Sequence, residues 1–395
     1  MFEWFESELA RLDRDGLKRQ RRCVHPLSGG RCLADGRQLW NFAGNDYLDL
    51  AGDHRVIAAA TTALQHSGTG GRGSPLVCGR TTWFRELELG LARFEGAEAA
   101  ILFPTGYAAN VGTIAAVAGP RDEVYSDRLN HASLIDGCRL SGAKLQVYPH
   151  CDVDFLESLL RKSLSLNSCR RRLIVTDSIF SMDGDLAPLP ALCDVAERYH
   201  AMLLVDEAHA TGVFGARGRG VAELQGVKVR GLIRVGTLSK AIGSQGGFVA
   251  GSDALVDWLW NNARTQIFST ALSPAACSAA CAAVGIIDSE DGRERRESLT
   301  ASARLFRQLL RERQVVPLGD ESSPIVPIVF GAPETAVAAA DHLQSIGFLV
   351  GAIRPPSVPR GTSRLRISLT CAHSEEVLRQ LARAVEKCQA LPGLQ

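Results

Sequence analysis

The chain has 395 residues, 46% of them hydrophobic and 22% charged, which suits about two or three domains with buried cores and excludes a disordered or collagen-like protein. Lys and Arg number 44 against 43 Asp and Glu, a formal charge of +1 that gives no electrostatic footprint for nucleic acid or an anionic membrane. The 11 cysteines form no Cys-x-x-Cys pair and outline neither a disulfide framework nor a metal site, as expected of a soluble protein in the reducing cytoplasm.

In chain order, Met1 to Arg22 mixes acids and bases among apolar residues at helical spacing, unlike the uninterrupted apolar core of a signal peptide. A Gly-rich irregular stretch follows, ending at Asn45-Asp46-Tyr47-Leu48. From about Arg55 onward, short apolar runs alternate with helical patterns. Strands are expected at Ala100–Phe103, Glu123–Ser126, Leu145–Tyr148, Leu173–Thr176, Met202–Val205, Leu232–Val235 and Gly247–Ala250, with helices such as Val153–Ser163 and Leu189–Tyr199 between them. That alternation argues for an α/β fold with a mostly parallel sheet covered by helices on both faces. The charge-free stretches Ala99–Pro120 and Thr265–Ile287 are broken by Pro104, Gly106 and Pro274 and do not read as membrane spans.

After Ile287 a charged amphipathic helix (Arg293–Arg313) leads into strands near Ile325–Phe330, Phe348–Ile353 and Leu365–Leu369. Helices are expected at Glu334–Ser345 and Ser374–Leu391, making a smaller α+β domain. The expected divisions are 1–50, 51–287 and 288–395.

Two tempting motifs fail on context. Gly68-Thr69-Gly70-Gly71-Arg72-Gly73 has dinucleotide-binding spacing, but it follows a helical stretch and precedes Ser74-Pro75, so the glycines mark a close approach of backbones. Asp206-Glu207-Ala208-His209 matches a helicase box, yet none of the lysines follows a glycine, so the phosphate loop such an ATPase needs is missing.

The lysines themselves are informative. Lys240 alone follows an apolar strand, in Gly236-Thr237-Leu238-Ser239-Lys240-Ala241-Ile242-Gly243. A desolvated amine in a Gly/Ser/Thr-rich turn can attack an aldehyde, while the small residues and hydroxyls suit a phosphate; an ordinary strand-end lysine is the alternative. The strand Met202–Val205 ends on Asp206, where open α/β sheets bind ligands. Asp206 could keep a pyridinium nitrogen protonated and His209 could reach the ring's phenolic oxygen; a helix N-cap is the other reading of Asp206. Phe103-Pro104-Thr105-Gly106-Tyr107 is a strand end opening a helix whose first N–H groups can bind phosphate. In Asp127-Arg128-Leu129-Asn130-His131-Ala132-Ser133, His131 could lie on an aromatic cofactor and move protons, or simply cap a helix.

Together with Phe180-Ser181-Met182-Asp183-Gly184-Asp185, these motifs resemble, in order and over nearly the whole chain, the α-oxoamine synthases. The resemblance implies pyridoxal-phosphate-dependent acyltransferases of transferase fold type I, with a large cofactor-binding domain and a smaller C-terminal α+β domain. The segment Ala352–Pro359 with Gly361–Arg366 is most similar to the biotin-pathway branch, which makes 8-amino-7-oxononanoate. That likeness implies L-alanine and a pimeloyl thioester, carried by coenzyme A or a carrier protein, as substrates of a homodimer. It also implies Lys240 as the cofactor's covalent anchor and proton acceptor, with Asp206 at the ring nitrogen and His131 on the ring. Gly106, Tyr107 and Thr237 are implied at the phosphate, Ser181 and His209 beside the ring, and Thr270 at the neighbouring subunit's phosphate. Asn45 and Arg366 match carboxylate-holding positions, and Arg19 (rather than Arg22) and Ser357 meet the acyl substrate. Departures stand at Phe84 (His is frequent), Ser178 (Gly) and Ser357 (Thr), expected at the edges of the substrate pocket. A sibling acyltransferase using glycine or serine is the nearest alternative. A non-catalytic partner subunit of the same fold would lack Lys240.

Overall fold

The computed structural model describes residues 2–167, 169–227 and 231–389. Two compact units emerge: a smaller one of Met1–Asp49, Met182–Asp185 and Glu297–Gln395, and a larger one of Leu50–Ser181 and Leu186–Arg296. The first 49 residues thus belong with the C-terminal region rather than forming a piece of their own.

In chain order the strands are β1 (Val24–Leu27), β2 (Arg31–Ala34), β3 (Arg37–Phe42), β4 (Ala99–Phe103), β5 (Glu123–Asp127), β6 (Lys144–Tyr148), β7 (Arg172–Asp177), β8 (Ala201–Asp206), β9 (Leu232–Thr237), β10 (Gly247–Gly251), β11 (Ile325–Gly331), β12 (Phe348–Ile353) and β13 (Ser363–Ser368).

The larger unit holds a sheet in the order β4-β10-β9-β8-β7-β5-β6. Pairings from β9 through β6 are parallel, and β10 runs antiparallel to both its neighbours. Strands β5, β7 and β9 are buried at every residue, as a parallel sheet covered on both faces requires. Ile101, Val124, Val175, Leu204 and Val249 pack with Ile114, Leu134 and Leu259 from covering helices into one core.

The helix Pro274–Ile287 packs on the helices His54–Ser67 and Thr82–Glu95 of the same unit, burying Cys277, Ala280, Ala283 and Ile287 completely. Its small residues therefore serve packing within this unit. Close approach at the glycines is as expected. A Cβ on Gly71 would lie 2.4 Å from the Ala271 carbonyl oxygen, and Ala271 N–H donates to Gly73 O at 2.9 Å.

The smaller unit has a sheet in the order β1-β2-β3-β12-β13-β11, antiparallel except where β12 joins β3. The N-terminal helix Glu3–Arg14 forms as expected, but β1 to β3 replace the irregular stretch predicted after it. Asp35 (φ 51°) and Gly36 (φ 74°) make the tight turn between β2 and β3, a hairpin that the Asp-Gly pair specifies. Among the described residues no helix is long and apolar enough to cross a membrane.

Candidate active site

In the larger unit, the parallel strands deliver polar groups at their carboxyl ends. Asp206, 4% exposed, closes β8. Its Oδ1 accepts the Ala208 N–H at 2.8 Å, and its Oδ2 accepts the Asn110 side-chain amide at 2.6 Å. The residues after it form a turn, so Asp206 does not cap a helix. Asn110 also donates to Ser133 Oγ at 2.9 Å, and Ser133 Oγ lies 2.7 Å from His131 Nδ1.

His131 does cap the helix Ala132–Ser141 through that ring nitrogen, while its backbone N–H donates to Asp177 Oδ2 at 2.6 Å. Asp177 ends β7 directly opposite Asp206. Burial first, then the Asp206 charge, drives the Asp177 acid well above the usual carboxylate range. His131 is exposed overall, yet desolvation of its ring and the Lys240 charge lower its proton affinity against the pull of Asp206. Lys240, partly buried in the bend after β9, is thus within electrostatic reach of both His131 and Asp177.

The helix Gly106–Val117 starts at the end of β4. Thr105 Oγ1 accepts the Ala108 N–H at 3.0 Å and Thr105 O accepts that of Ala109, so Gly106 and Tyr107 are where this end can offer N–H groups to an anion. A Cβ on Gly106 would meet the Thr237 side chain at 3.1 Å, and one on Gly247 would lie 2.4 Å from Thr105 O. Only glycines allow the strand and helix ends to close up this way. Thr237 Oγ1 donates to Gly246 O at 3.0 Å and lies 2.8 Å from Ser239 Oγ. Tyr107 is half exposed and its hydroxyl donates to Asp136 at 2.5 Å.

His209 is buried in the turn after Asp206, and Ser181 is half-buried in the turn after β7. Thr270 is exposed beside Phe268, which is 71% exposed, and Ser273 rather than Thr270 caps the helix that follows. Ser178 lies under the site, its N–H and hydroxyl both donating to Asp206 O at 2.9 and 3.0 Å. Phe84 is packed in the core at 1% exposure, which corrects its expected place at a pocket edge.

In the smaller unit, β13 carries Arg366, 7% exposed. Both terminal nitrogens donate to Asn45 Oδ1 at 3.2 Å, one also to Ser368 Oγ at 2.7 Å, and the other to the Tyr47 hydroxyl at 3.4 Å. Burial raises the Tyr47 phenol while Arg366 pulls it down. Ser357 is exposed in the turn after β12, its N–H donating to Arg354 O at 3.1 Å. Arg19 is exposed, and its charge adds to burial in lowering the proton affinity of Arg354, whose side chain donates to Gly16 O at 2.6 Å. Arg22 instead lies 3.9 Å from Asp35.

Asn110, Asp177, Ser133 and Tyr47 were not singled out from the sequence. The available signals were a polar residue inside an otherwise apolar, charge-free helix (Asn110) and a second carboxylate at a strand end (Asp177). The larger unit's donor set suits a cationic aromatic ring with a phosphate: a buried carboxylate held on both oxygens, an imidazole, and a glycine-lined helix end beside a hydroxyl. Asn110 Oδ1, buried without a hydrogen-bond partner, marks remaining polar capacity beside Asp206.

Residues 37–385 match the family described as "Aminotransferase class I and II". The chain is 46% identical over 381 residues to the 8-amino-7-oxononanoate synthase of Geobacter sulfurreducens, covering 96% of each chain. It is 45% identical over 371 residues to 8-amino-7-oxononanoate synthase 2 of Bacillus subtilis, covering 94% of this chain and 93% of that one. A solved serine palmitoyltransferase from S. paucimobilis, bound to a PLP–myriocin aldimine, superposes with a TM-score of 0.92 at 30% identity, covering 98% of this chain and 97% of that one. The chain belongs to the class I and II aminotransferase family, as a pyridoxal-phosphate-dependent α-oxoamine synthase of transferase fold type I.

Proposed function

We propose that the protein is an 8-amino-7-oxononanoate synthase, condensing L-alanine with a pimeloyl thioester and releasing carbon dioxide and the thiol. The observation that carries this reading is the likeness, at 45–46% identity over nearly the whole chain, to relatives of that name. Pyridoxal phosphate, when bound, supplies an electron sink for negative charge at the amino-acid Cα.

Lys240 would anchor the cofactor, and its amine, when free, would take the Cα proton of alanine. Asp206, fixed by Asn110 and Ala208, would hold a proton on the ring nitrogen. His131 would cover the ring, and with Nδ1 accepting the Ser133 N–H its neutral imidazole carries the proton on Nε2, which could donate to the substrate's oxygens. Ser181 and His209 would serve the ring's polar edge. The Gly106 and Tyr107 amides with Thr237 would hold the phosphate, and in a homodimer the partner subunit's Thr270 would add to them. Arg366, preset by Asn45, pairs with the alanine carboxylate and so fixes which Cα bond is labile. Arg19 and Ser357 meet the acyl thioester, whether coenzyme A or a carrier protein bears it. The 11 free cysteines suit work in the cytoplasm.

Thiol release from pimeloyl, acetyl and palmitoyl thioesters, each with alanine, glycine or serine, tests the reading. Preference for the pimeloyl–alanine pair supports it. The structural likeness to serine palmitoyltransferase favours a second reading, a sibling acyltransferase, which predicts preference for another pair in the same panel.

A further inference from the structure

Two groups of Ser133 converge on one ring nitrogen of His131. Nδ1 accepts the Ser133 backbone N–H at 3.3 Å, and Ser133 Oγ lies 2.7 Å from the same atom. Which way that hydroxyl points is decided one step further back. Asn110 Nδ2 donates to Asp206 Oδ2 at 2.6 Å and to Ser133 Oγ at 2.9 Å. Turning the amide over would set Asn110 Oδ1 against the Asp206 carboxylate, acceptor against acceptor, so Asp206 fixes Asn110 as the donor. Ser133 Oγ therefore accepts from Asn110 and keeps its own proton for Nδ1.

The links of this chain are buried, Ser133 completely and Asn110 and Asp206 nearly so. The chain also returns to its start. His131 backbone N–H donates to Asp177 Oδ2 at 2.6 Å, and Asp177 stands opposite Asp206 on the adjoining strand. An imidazolium would place an N–H on Nδ1, facing two donors. Taking up that proton requires the Ser133 hydroxyl to turn round, and Asn110 opposes the turn. The charged groups around the ring are Asp206 at the end of β8, Asp136 on the helix Ala132–Ser141 and Lys240 in the bend after β9, with Asp177 on the backbone N–H. Desolvation, with Lys240, lowers the proton affinity of the ring against the pull of Asp206 and Asp136.

We infer that Ser133 is a positioning residue for the reaction: its hydroxyl, oriented by Asp206 through Asn110, keeps His131 a neutral hydrogen-bond donor through Nε2–H and bars it from acting as a base. The bearing on catalysis rests on the reading that His131 covers the cofactor ring. The acceptor it then meets is a carbonyl or carboxylate oxygen of the substrate, and the Cα proton is left to Lys240. One carboxylate thus serves two ends, the ring nitrogen directly and the imidazole through two side chains.

The test labels the histidine rings of the full-length holoenzyme with carbon-13 and follows their NMR signals from neutral to mildly acid pH, with His131→Gln identifying the signal of His131. The Cδ2 shift reports which ring nitrogen carries the proton, and the parent is expected to carry it on Nε2. Ser133→Ala keeps the backbone donor and loses the hydroxyl, so at a given pH the protonation equilibrium of His131 should move about three- to tenfold toward the imidazolium. Asn110→Ala, which frees the hydroxyl to turn, should move it the same way. Should one variant fail to fold by circular dichroism, the parent's tautomer and the other variant decide. A proton on Nδ1 in the parent, or an unmoved equilibrium in either folded variant, overturns the inference. These signals report on the side chains whichever substrate pair is preferred, so a failed thiol-release panel counts against the proposed reaction and leaves this result standing.

Discussion

Asn110 Nδ2 donates to Asp206 Oδ2 at 2.6 Å, joining the helix that begins at Gly106 to the carboxylate that ends β8. The strand end that would hold a ring nitrogen and the helix end that would hold a phosphate are therefore positioned by one hydrogen bond. Replacing Asp206 by Asn should preserve the fold, because the one oxygen that remains can keep the Ala208 N–H and the new amide N–H can donate to Asn110 Oδ1 once that amide turns over. The neutral amide cannot keep a ring nitrogen protonated, so thiol release should fall by about 100-fold or more. Near-normal turnover in a variant of unchanged circular dichroism would assign Asp206 a structural role alone.

Asn110→Ala tests the positioning partner. A hydrogen bond to a charged group contributes about 1.5–3 kcal/mol, and the variant should lose stability of that order. It should also release pyridoxal phosphate more readily in equilibrium dialysis, since Asp206 keeps only its Ala208 contact. Unchanged stability and retention would count against the network.

Arg366→Lys should raise the KM for alanine about tenfold or more while cofactor uptake, read by absorbance, stays intact. A lysine amine cannot reproduce the two-nitrogen grip on Asn45 or its presentation to a carboxylate. A variant with wild-type alanine dependence would remove Arg366 from substrate binding.

His373 offers a pH signature in the smaller unit. It is 3% exposed, stacked on Phe42 with ring centres 3.9 Å apart, and burial lowers it to about 4. An unfolded histidine titrates near 6.5, so the unfolded chain binds the proton first as pH falls. The stability this neutral ring contributes is complete above pH 6.5 and is lost as pH falls through that range toward 4, by up to about 3 kcal/mol. Urea midpoints at pH 7 and pH 5 should differ less in His373→Gln than in the parent. An equal loss in both would contradict the assignment.

The homodimer proposal rests on Thr270, which stands exposed beside exposed Phe268 and caps no helix. Thr270→Ala should loosen the cofactor in every subunit. In a hybrid with Lys240→Ala chains, one site combines Lys240 with an intact partner Thr270, and it should retain cofactor better than the Thr270→Ala homodimer. Sedimentation showing a monomer at assay concentration, or a hybrid no better than that homodimer, would defeat it.

The sequence reading was strongest where burial on both faces leaves an unbroken apolar run, as in β7 and β8, and where a strand ends on a carboxylate such as Asp206. It was weakest at β1 to β3. Those strands are short, β1 is exposed throughout, and their pairing depends on the distant β12, so local pattern carried little beyond the Asp35-Gly36 turn. The helix Pro274–Ile287 shows another limit. A run of small, uncharged residues records close packing but not whether the neighbour is the same chain. Asn110 and Asp177 escaped notice because their meaning comes from spatial partners, Asp206 and His131, far away in sequence.

The most direct test of the central claim supplies purified holoenzyme with carboxyl-labelled alanine and a pimeloyl thioester, and counts labelled carbon dioxide against thiol while identifying the product by mass. The account predicts one labelled carbon dioxide per thiol released and a product of the mass of 8-amino-7-oxononanoate. Thiol release without labelled carbon dioxide, or an amino-ketone formed only from another amino acid or acyl chain, would contradict it.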